Sequence, residues 1–338
     1  METYIMGMAA VIHKKGGPDN FVWEEIKVGA PGPGQVRLRN TAVGVNFLDT
    51  YHRAGIPHPL IVGEPPVVVG FEAVGVIQEV GPGVSDFAVG ERVCTCLPPL
   101  GAYSQERLYP ADKLIKVPKD LALDDVHLAG LILKGMTAQY LLHRTHKVQP
   151  GDYVLIHAAA GGMGHIMCPW ARHLGATVIG TVSTDEKAEI ARNLGCHHTI
   201  NYSTEDFVAS VREITGGKGV HVVYDSIGKD TLQKSLDCLR PLGMCAAYGH
   251  ASGVADPINV VEDLGVRGSL FITRPALWHY MASRSEIDAG SRCLFDAVKA
   301  GVLHSNVAKT FLLREAAVAH KYMGARKTIG SIVMLPHG

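Results

Sequence analysis

The 338-residue chain is predicted to be an α/β protein that combines a β-rich domain with a Rossmann-type, doubly wound parallel sheet. Up to about residue 125, short apolar runs alternate with glycine and proline turns, which is typical of β-structure. Beyond that point short apolar runs alternate with segments of helical period, which favours βα units. A glycine-rich turn between a strand-like run and a helix-like run is the third observation.

The composition indicates a globular protein whose partners are small molecules. Hydrophobic residues make up 47% of the chain and charged residues 19%, with 38 glycines and 18 prolines. Lys+Arg (32) equals Asp+Glu (32), so no basic surplus draws in nucleic acid or anionic lipid. No apolar run approaches the roughly 20 residues of a membrane span, and the seven scattered cysteines suit reduced thiols. We therefore expect a cytoplasmic protein with neither a membrane nor a nucleic-acid partner.

The first part of the chain is predicted to form an irregular, partly open β-barrel. Its strand-like runs are "AAVIH", "GQVRLRNTAVGV", "VVVGFEAVGVIQEVG" and "GERVCTC". Tight turns are predicted at "PGPG" (31–34) and "GPG" (81–83), because glycine and proline favour turn conformations.

The second part is predicted to form a six-stranded parallel sheet with helices on both faces. Its strand-like runs are "YVLIHAA", "TVIGTVS", "HHTINY", "HVVYDSI", "GMCAAYG" and "GSLFITR". The segment "RSEIDAGSRCLFDAVKAGVL" predicts a further helix, and the tail "KTIGSIVMLP" a further strand. Since a completed six-stranded sheet offers no obvious place for the tail strand, we expect it to return to the first domain.

The glycine turn is predicted to bind a dinucleotide. Ala159, Gly161 and Gly164 have the spacing of the G-x-G-x-x-G fingerprint, with alanine in the first glycine position, and Gly162 and Met163 complete the loop. Small residues let the backbone approach a pyrophosphate, and a helix N-terminus favours its negative charge.

The end of the next strand predicts which dinucleotide is bound. A site that prefers NAD usually places an acidic residue there, against the ribose diol, but Val182 occupies this position. Ser183 and Lys187 can donate to a 2′-phosphate, so the cofactor is predicted to be NADPH. Tyr202 either lines the adenosine pocket or is a half-buried tyrosine at the end of the sheet.

With these residues in hand, the chain resembles the medium-chain dehydrogenase/reductase superfamily, and within it the zinc-free quinone oxidoreductase group. The matching segments include "GVNFLDTYHRAG", "VVGFEAVGVIQEVGPGV", "LKGMTAQYLL", "GDYVLIHAAAGGMG", "VVYDSIG" and "RGSLFITRP". The sequence is similar in particular to the 2-haloacrylate reductases of that group, which reduce the C=C bond of 2-chloroacrylate with NADPH.

The resemblance implies a GroES-like catalytic domain built from residues 1–127 and 273–338, an NADPH-binding Rossmann domain of residues 128–272, and a cleft at their junction. It also implies a homodimer joined through the nucleotide-binding domains. Gly249 and His250 are expected beside the cofactor, and Thr273 near its carboxamide.

The resemblance also implies that no metal ion takes part. Zinc alcohol dehydrogenases of the superfamily carry a ligand cysteine where this chain has Asn46, and a Gly-His-Glu where it has Gly70, Phe71 and Glu72. Cys94 and Cys96 are too few for a structural zinc site. Without a Lewis acid, a conjugated C=C bond is a better substrate than a simple ketone, because hydrogen-bond donors suffice to stabilise the enolate.

Catalytic roles are expected in the loop that the resemblance places near the nicotinamide. Asn46 is predicted to be an orienting amide, and Tyr51 to be the hydrogen-bond donor or proton source, with water as an equal alternative. A substrate carboxylate would need a cation, for which Arg53 and Lys134 are the first candidates. Others that border the family's cleft are Arg274, His52, His58, His250 and His279.

The leading functional prediction is therefore NADPH-dependent reduction of an activated C=C bond, with 2-chloroacrylate giving 2-chloropropionate. An NADPH:quinone oxidoreductase is the alternative. A different class, an NADPH-binding structural or RNA-binding protein of the kind that lens relatives suggest, is disfavoured by the charge balance and the lack of an arginine-rich stripe.

Overall fold

The structure is a computed structural model that describes residues 4–56, 63–325 and 328–337. The chain divides into two compact units. Unit 1 comprises Met1–Lys134, Met281–Phe295 and Ser305–Gly338, and unit 2 comprises Gly135–Tyr280 and Asp296–His304.

The N-terminal part of the chain is rich in strands, as predicted. Its elements are β1 (Tyr4–Ile12), β2 (Phe21–Gly29), β3 (Gln35–Val45), α1 (Phe47–Ala54), β4 (Val67–Val68), β5 (Ala73–Val80), β6 (Arg92–Thr95), β7 (Glu106–Pro110), β8 (Ile115–Lys116), α2 (Asp125–Ala129) and α3 (Ile132–Tyr140). The apolar runs correspond to β1, β3, β4 with β5, and β6. The prediction missed β2, in which Glu24, Glu25 and Lys27 interrupt the apolar residues, and the short strands β7 and β8.

Unit 2 contains the predicted parallel sheet. Its strands and helices are β9 (Tyr153–Ile156), α4 (Gly164–His173), β10 (Thr177–Val182), α5 (Asp185–Asn193), β11 (His198–Asn201), α6 (Phe207–Ile214), β12 (Val220–Asp225), α7 (Leu232–Asp237), β13 (Leu239–Ala247), β14 (Phe271–Thr273) and α8 (Leu277–Tyr280). The order is β11-β10-β9-β12-β13-β14, with every pair parallel. This is the doubly wound Rossmann order, so the predicted fold class is confirmed.

The strands of this sheet are apolar because helices cover both of its faces. Val154, Leu155 and Ile156 of β9 are all fully buried, as are Val222 and Val223 of β12. All six strands run in the same direction, so the segments that follow them leave at one common edge of the sheet. Ligands of such sheets bind outside the carboxyl ends of the strands.

The C-terminal part completes the chain with α9 (Arg284–Lys299), β15 (Val307–Leu312), α10 (Ala316–Gly324) and β16 (Ser331–Leu335). β16 pairs antiparallel with β3, Val333 lying opposite Gly44, so the tail strand returns to the first unit as predicted. The unit 1 sheets have the orders β2-β1-β4 and β15-β16-β3-β5-β6-β8, with β7 also on β3. Within the described ranges, no helix is long and apolar enough to cross a membrane.

Candidate active site

The glycine turn lies between β9 and α4, at the carboxyl edge of the unit 2 sheet. Ala158 has a left-handed backbone (φ 53°), and its carbonyl accepts from Gly161 N at 2.8 Å. Met163 is the N-cap of α4, and its carbonyl accepts from Met167 N at 2.8 Å. The turn therefore brings the chain directly from the strand into the first turn of a ten-residue helix.

Three small residues let this turn pack against the neighbouring strand. A Cβ on Gly164 would lie 2.0 Å from Ala159 O, so only glycine fits at the start of α4. A Cβ on Gly180 would lie 2.6 Å from Ala159 Cβ. The missing side chain on β10 thus makes room for the alanine that stands in the first position of the fingerprint, and Ala159 N donates to Thr181 O at 3.0 Å.

A buried polar network lies beneath the glycine turn. His157 contacts Thr181 Oγ1 through Nδ1 at 2.8 Å and Ser235 Oγ through Nε2 at 2.9 Å. Ser235 Oγ donates to Asp225 Oδ2 at 2.7 Å, and Thr231 Oγ1 donates to the same carboxylate. Burial lowers the pKa of His157, which stays neutral and can accept from one hydroxyl while it donates to the other. The network ties β9 to β10, β12 and α7.

The end of β10 carries the residues predicted to bind a 2′-phosphate. Lys187 Nζ donates to Ser183 Oγ at 3.3 Å, so the structure brings these two donors together. Lys187 lies in the first turn of α5, where Thr184 Oγ1 accepts from its backbone N at 3.3 Å. Tyr202 follows β11, and its residue surface is 52% exposed, which leaves its ring accessible to an adenosine.

The expected cofactor-side residues after β13 and on β14 lie at the same edge of the sheet. A Cβ on Gly249 would lie 2.4 Å from Ser226 O, so the β13 turn requires glycine. Arg274 NH1 donates to Tyr248 O at 2.6 Å, and its NH2 lies 3.4 Å from His250 Nδ1. Burial, with a smaller contribution from Arg274, lowers the pKa of His250. Thr273 pairs with Ala246 of β13.

In unit 1, three polar side chains from different elements form one buried cluster, which we call the Asn46–Glu72–Lys134 cluster. Asn46 Nδ2 donates to Glu72 Oε2 at 2.7 Å, and Lys134 Nζ donates to Asn46 Oδ1 at 2.9 Å. Lys134 Nζ also lies 3.5 Å from Glu72 Oε2. Leu133 N donates to Glu72 Oε1 at 2.7 Å. A Cβ on Gly44 would lie 2.0 Å from Glu72 Oε2, so β3 needs a glycine here.

A second buried network of polar groups begins at the first turn of α1. Asn46 N donates to Asp49 Oδ2 at 2.8 Å, which caps the helix, and Tyr103 OH donates to the same oxygen at 3.0 Å. Tyr103 OH lies 2.9 Å from His320 Nε2. Burial raises the pKa of Asp49 from 3.8 to about 7 and lowers that of His320 to about 3. A neutral His320 protonated at Nε2 completes one continuous chain of donors.

The remaining predicted residues of unit 1 lie on or near α1. Tyr51 is 7% exposed, and His52 is buried with its ring edge-on to Phe71 at 5.3 Å between centroids. Arg53 NH1 donates to Gly16 O at 2.8 Å, so this guanidinium is used to hold the preceding loop. Burial lowers its pKa.

Two further histidine candidates do not join these clusters. His279 is on α8 in unit 2, where its Nε2 accepts from Trp278 Nε1 at 3.1 Å. His58 lies outside the described residues. The roles of all these residues stay predictions.

The residues at the position of the family's catalytic zinc do not fit a metal ion. Asn46 offers an amide and Phe71 an apolar ring that is 1% exposed. The Lys134 ammonium already occupies the space beside Asn46 Oδ1 and Glu72 Oε2, where it would repel a dication. Among the residues that the structure describes, no group of three or more His, Cys, Asp or Glu side chains could hold a metal ion.

The sequence analysis missed Glu72, Asp49, Tyr103 and His320 as parts of a site. Glu72 carried a usable signal, because it is the one charged residue in the apolar run "VVVGFEAVGV", and a carboxylate in a buried strand requires partners. Nothing local marked His320, since its contact with Tyr103 joins residues 217 positions apart in the chain.

Comparisons with known proteins agree with this geometry. The family profile "Alcohol dehydrogenase GroES-like domain" matches residues 32–151, and the profile "Zinc-binding dehydrogenase" matches residues 162–284. The 2-haloacrylate reductase of a Burkholderia species is 88% identical over 331 residues, which cover 98% of this chain and 99% of that protein.

Solved structures agree as well. A crystal structure of 2-haloacrylate reductase has a TM-score of 0.89 and 85% identity, and covers 98% of this chain and 100% of that one. The Escherichia coli quinone oxidoreductase complexed with NADPH has a TM-score of 0.92 and 40% identity, with the same coverage.

The chain therefore belongs to the medium-chain dehydrogenase/reductase superfamily, a family of oxidoreductases. Within it, the chain belongs to the group that contains 2-haloacrylate reductase and the quinone oxidoreductases. The predicted family and fold class are thus confirmed.

Proposed function

We propose that the protein is an NADPH-dependent oxidoreductase that reduces the activated C=C bond of a small α,β-unsaturated substrate, with 2-chloroacrylate giving 2-chloropropionate. The observation that carries this proposal is the 88% identity to a 2-haloacrylate reductase over 98% of this chain. Quinone reduction is the alternative, and it rests on the weaker 40% identity to quinone oxidoreductase 1 of E. coli.

NADPH fits the residues of unit 2. Its pyrophosphate would lie over the turn of Gly161, Gly162 and Met163, where the N-terminus of α4 favours negative charge. Its 2′-phosphate would accept hydrogen bonds from Ser183 and Lys187, whose side chains lie close together. When bound, NADPH would supply a hydride to the β-carbon of the substrate.

The nicotinamide side of the cofactor would be held further along the same sheet edge. Gly249 and His250, which follow β13, and Thr273, which ends β14, supply the groups for this side. The E. coli quinone oxidoreductase was crystallised as a complex with NADPH, which supports the same choice of cofactor here.

Side chains of the protein would stabilise the negative charge that hydride addition creates and would help to supply the proton. Hydride addition to the β-carbon leaves a negative charge shared between the α-carbon and the carboxylate, and one proton must then reach the α-carbon. We propose that Tyr51 donates to this charge or supplies the proton, and that Asn46 orients neighbouring groups. The products are 2-chloropropionate and NADP⁺, so one hydride and one proton are consumed per turnover.

We also propose a homodimer formed through β14. This strand ends the six-stranded sheet and has no strand on its outer side within the described part of the chain, so its backbone groups can pair with a second copy. Leu242, Val266 and Phe271 are 61%, 79% and 55% exposed. Large apolar side chains beside an open sheet edge favour association, and a two-fold axis would pair the two β14 strands.

The remaining proposals concern location and domain boundaries. We propose that the enzyme acts in the cytoplasm. We keep residues 1–127 with 273–338 as the catalytic domain and 128–272 as the NADPH-binding domain.

The function is tested with purified protein, NADPH and 2-chloroacrylate. We expect the absorbance of the reduced nicotinamide to fall in proportion to the 2-chloropropionate formed, which chromatography measures. Adding 2-chloropropionate instead of 2-chloroacrylate is the matched control, because it lacks the C=C bond. Turnover of quinones without turnover of 2-chloroacrylate would replace the proposal by its alternative.

Lys187→Ala should raise the KM for NADPH by roughly 10- to 100-fold, because one charge-assisted contact with the 2′-phosphate is lost. The KM for NADH should stay within about threefold, since NADH lacks that phosphate. Lys218→Ala, at an exposed lysine of the same unit, is the control. An unchanged preference for NADPH would remove Lys187 from the cofactor site.

Tyr51→Phe should lower kcat by about 10- to 1000-fold while the KM for NADPH is unchanged, if the hydroxyl stabilises charge or moves the proton. Steady-state kinetics with 2-chloroacrylate measures both constants. Tyr4→Phe, at a 51% exposed tyrosine, is the matched control. Full activity of Tyr51→Phe would leave water as the proton source.

Phe271→Asp and Val266→Asp should each convert the dimer into a monomer, because they place charge in an apolar interface. Sedimentation velocity measures the change, from about twice 36.2 kDa to 36.2 kDa. Val89→Asp, at a 62% exposed position in unit 1, should remain dimeric. A wild-type protein that sediments as a monomer at micromolar concentration contradicts the assembly.

A further inference from the structure

The Asn46–Glu72–Lys134 cluster places two charged side chains in the interior of unit 1. Glu72 is fully buried and the side chain of Lys134 is 11% exposed, so both charges have left bulk water. Such a pair is costly unless hydrogen bonds satisfy both groups, and replacing it by apolar residues is often neutral for stability. Stability alone therefore gives little reason for these three residue types to meet here.

The distances show what each member of the cluster does. The two short bonds of Glu72, both 2.7 Å, go to Asn46 Nδ2 and Leu133 N, whereas Lys134 Nζ is 3.5 Å away. The short bond of the ammonium is instead to the neutral amide oxygen of Asn46, at 2.9 Å. Glu72 thus fixes the orientation of the amide, and the amide fixes the position of the ammonium.

The arrangement leaves the ammonium able to bind an anion. A lysine ammonium has three N–H donors, and two of them are directed at Asn46 and Glu72. Glu72 pairs with the ammonium at 3.5 Å, and the third N–H is directed at neither of these two partners, so it can donate to an anion. Arg53, the other cation predicted to bind a carboxylate, lies outside this cluster, and its NH1 donates to Gly16 O.

We infer that Lys134 is the residue that binds the carboxylate of the substrate, and that Asn46 and Glu72 are positioning residues that hold its ammonium in place. This inference rests on the proposed function, which it deepens: it names the group that binds the carboxylate of an unsaturated acid. It also changes the role expected for Asn46, whose amide orients a lysine.

The first test measures carboxylate binding without turnover. 2-Chloropropionate is titrated by calorimetry into the enzyme saturated with NADP⁺. Lys134→Gln keeps a hydrogen-bonding group but removes the charge, and should raise the Kd by roughly 10- to 100-fold, the value of one charge-assisted hydrogen bond. Lys119→Gln, at an exposed lysine of unit 1, is the matched control and should bind normally. Equal Kd values for wild type and Lys134→Gln overturn the inference.

The second test compares the KM of a charged substrate with that of a neutral one. In Lys134→Gln the KM for 2-chloroacrylate should rise by roughly 10- to 100-fold, while the KM values for NADPH and for neutral p-benzoquinone change by less than about threefold. Equal increases for the charged and the neutral substrate would overturn the assignment. Failure of wild-type protein to turn over 2-chloroacrylate would instead overturn the proposed function, and the calorimetric result would still decide the role of Lys134.

The positioning role of Glu72 is tested by a double-mutant cycle. Glu72→Gln should weaken 2-chloropropionate binding by roughly 3- to 30-fold in the wild-type background and by less than about twofold in a Lys134→Met background, because Glu72 acts through the ammonium. The double variant buries no unpaired charge, so it should fold even where Glu72→Gln alone does not. An equal effect of Glu72→Gln in both backgrounds would show that Glu72 acts independently of Lys134.

Discussion

The buried carboxylate of Glu72 organises one of two polar networks in the interior of unit 1, and the other is centred on the buried Asp49. Glu72 joins the end of β3, through Asn46, to the beginning of α3, through Leu133 N and Lys134. Each of these segments carries a predicted site residue, and none of them would be placed by apolar packing alone, because packing does not fix the orientation of an amide or the position of an ammonium. Gly44 is part of the same constraint, since any side chain on β3 at that point would overlap the carboxylate. Asn46, Glu72 and Lys134 thus form one hydrogen-bonded cluster that contains an ion pair.

In unit 2, by contrast, the position of the glycine turn depends on residues that have no side chain. Gly164 and Gly180 allow the turn after β9 to lie against β10, and the His157 network then joins these strands to β12 and α7 from below. The turn and the Ser183–Lys187 pair are consequently held by the same two strands. A dinucleotide that contacted the turn and the Ser183–Lys187 pair would be bound by groups whose separation is fixed in advance. This would lower the entropic cost of binding.

Much of this architecture could be predicted from the sequence, because it depends on local patterns. The βα alternation predicted the six strands of unit 2, the glycine spacing predicted the turn, and the remaining run "KTIGSIVMLP" predicted that the tail strand returns to the first domain. The missed strand β2 has charged residues at its centre, and the missed strands β7 and β8 are short, so none of them forms a continuous apolar run. The pairings of Asn46 with Lys134 and of Tyr103 with His320 could not be predicted, because they join residues 88 and 217 positions apart in the chain, and only the folded backbone brings them into contact.

The hydrogen-bonded network of Asp49, Tyr103 and His320 bears on how the free energy of unfolding depends on pH. In the unfolded chain between about pH 4 and 6.5 the aspartate is an anion and the histidine a cation, whereas in the folded unit their pKa values of about 7 and about 3 make both neutral. The two states therefore bind the same number of protons over this interval, because the proton that leaves the imidazole is matched by one on the carboxyl. By linkage, this pair changes its ionic form on folding without changing the free energy of unfolding with pH over this interval.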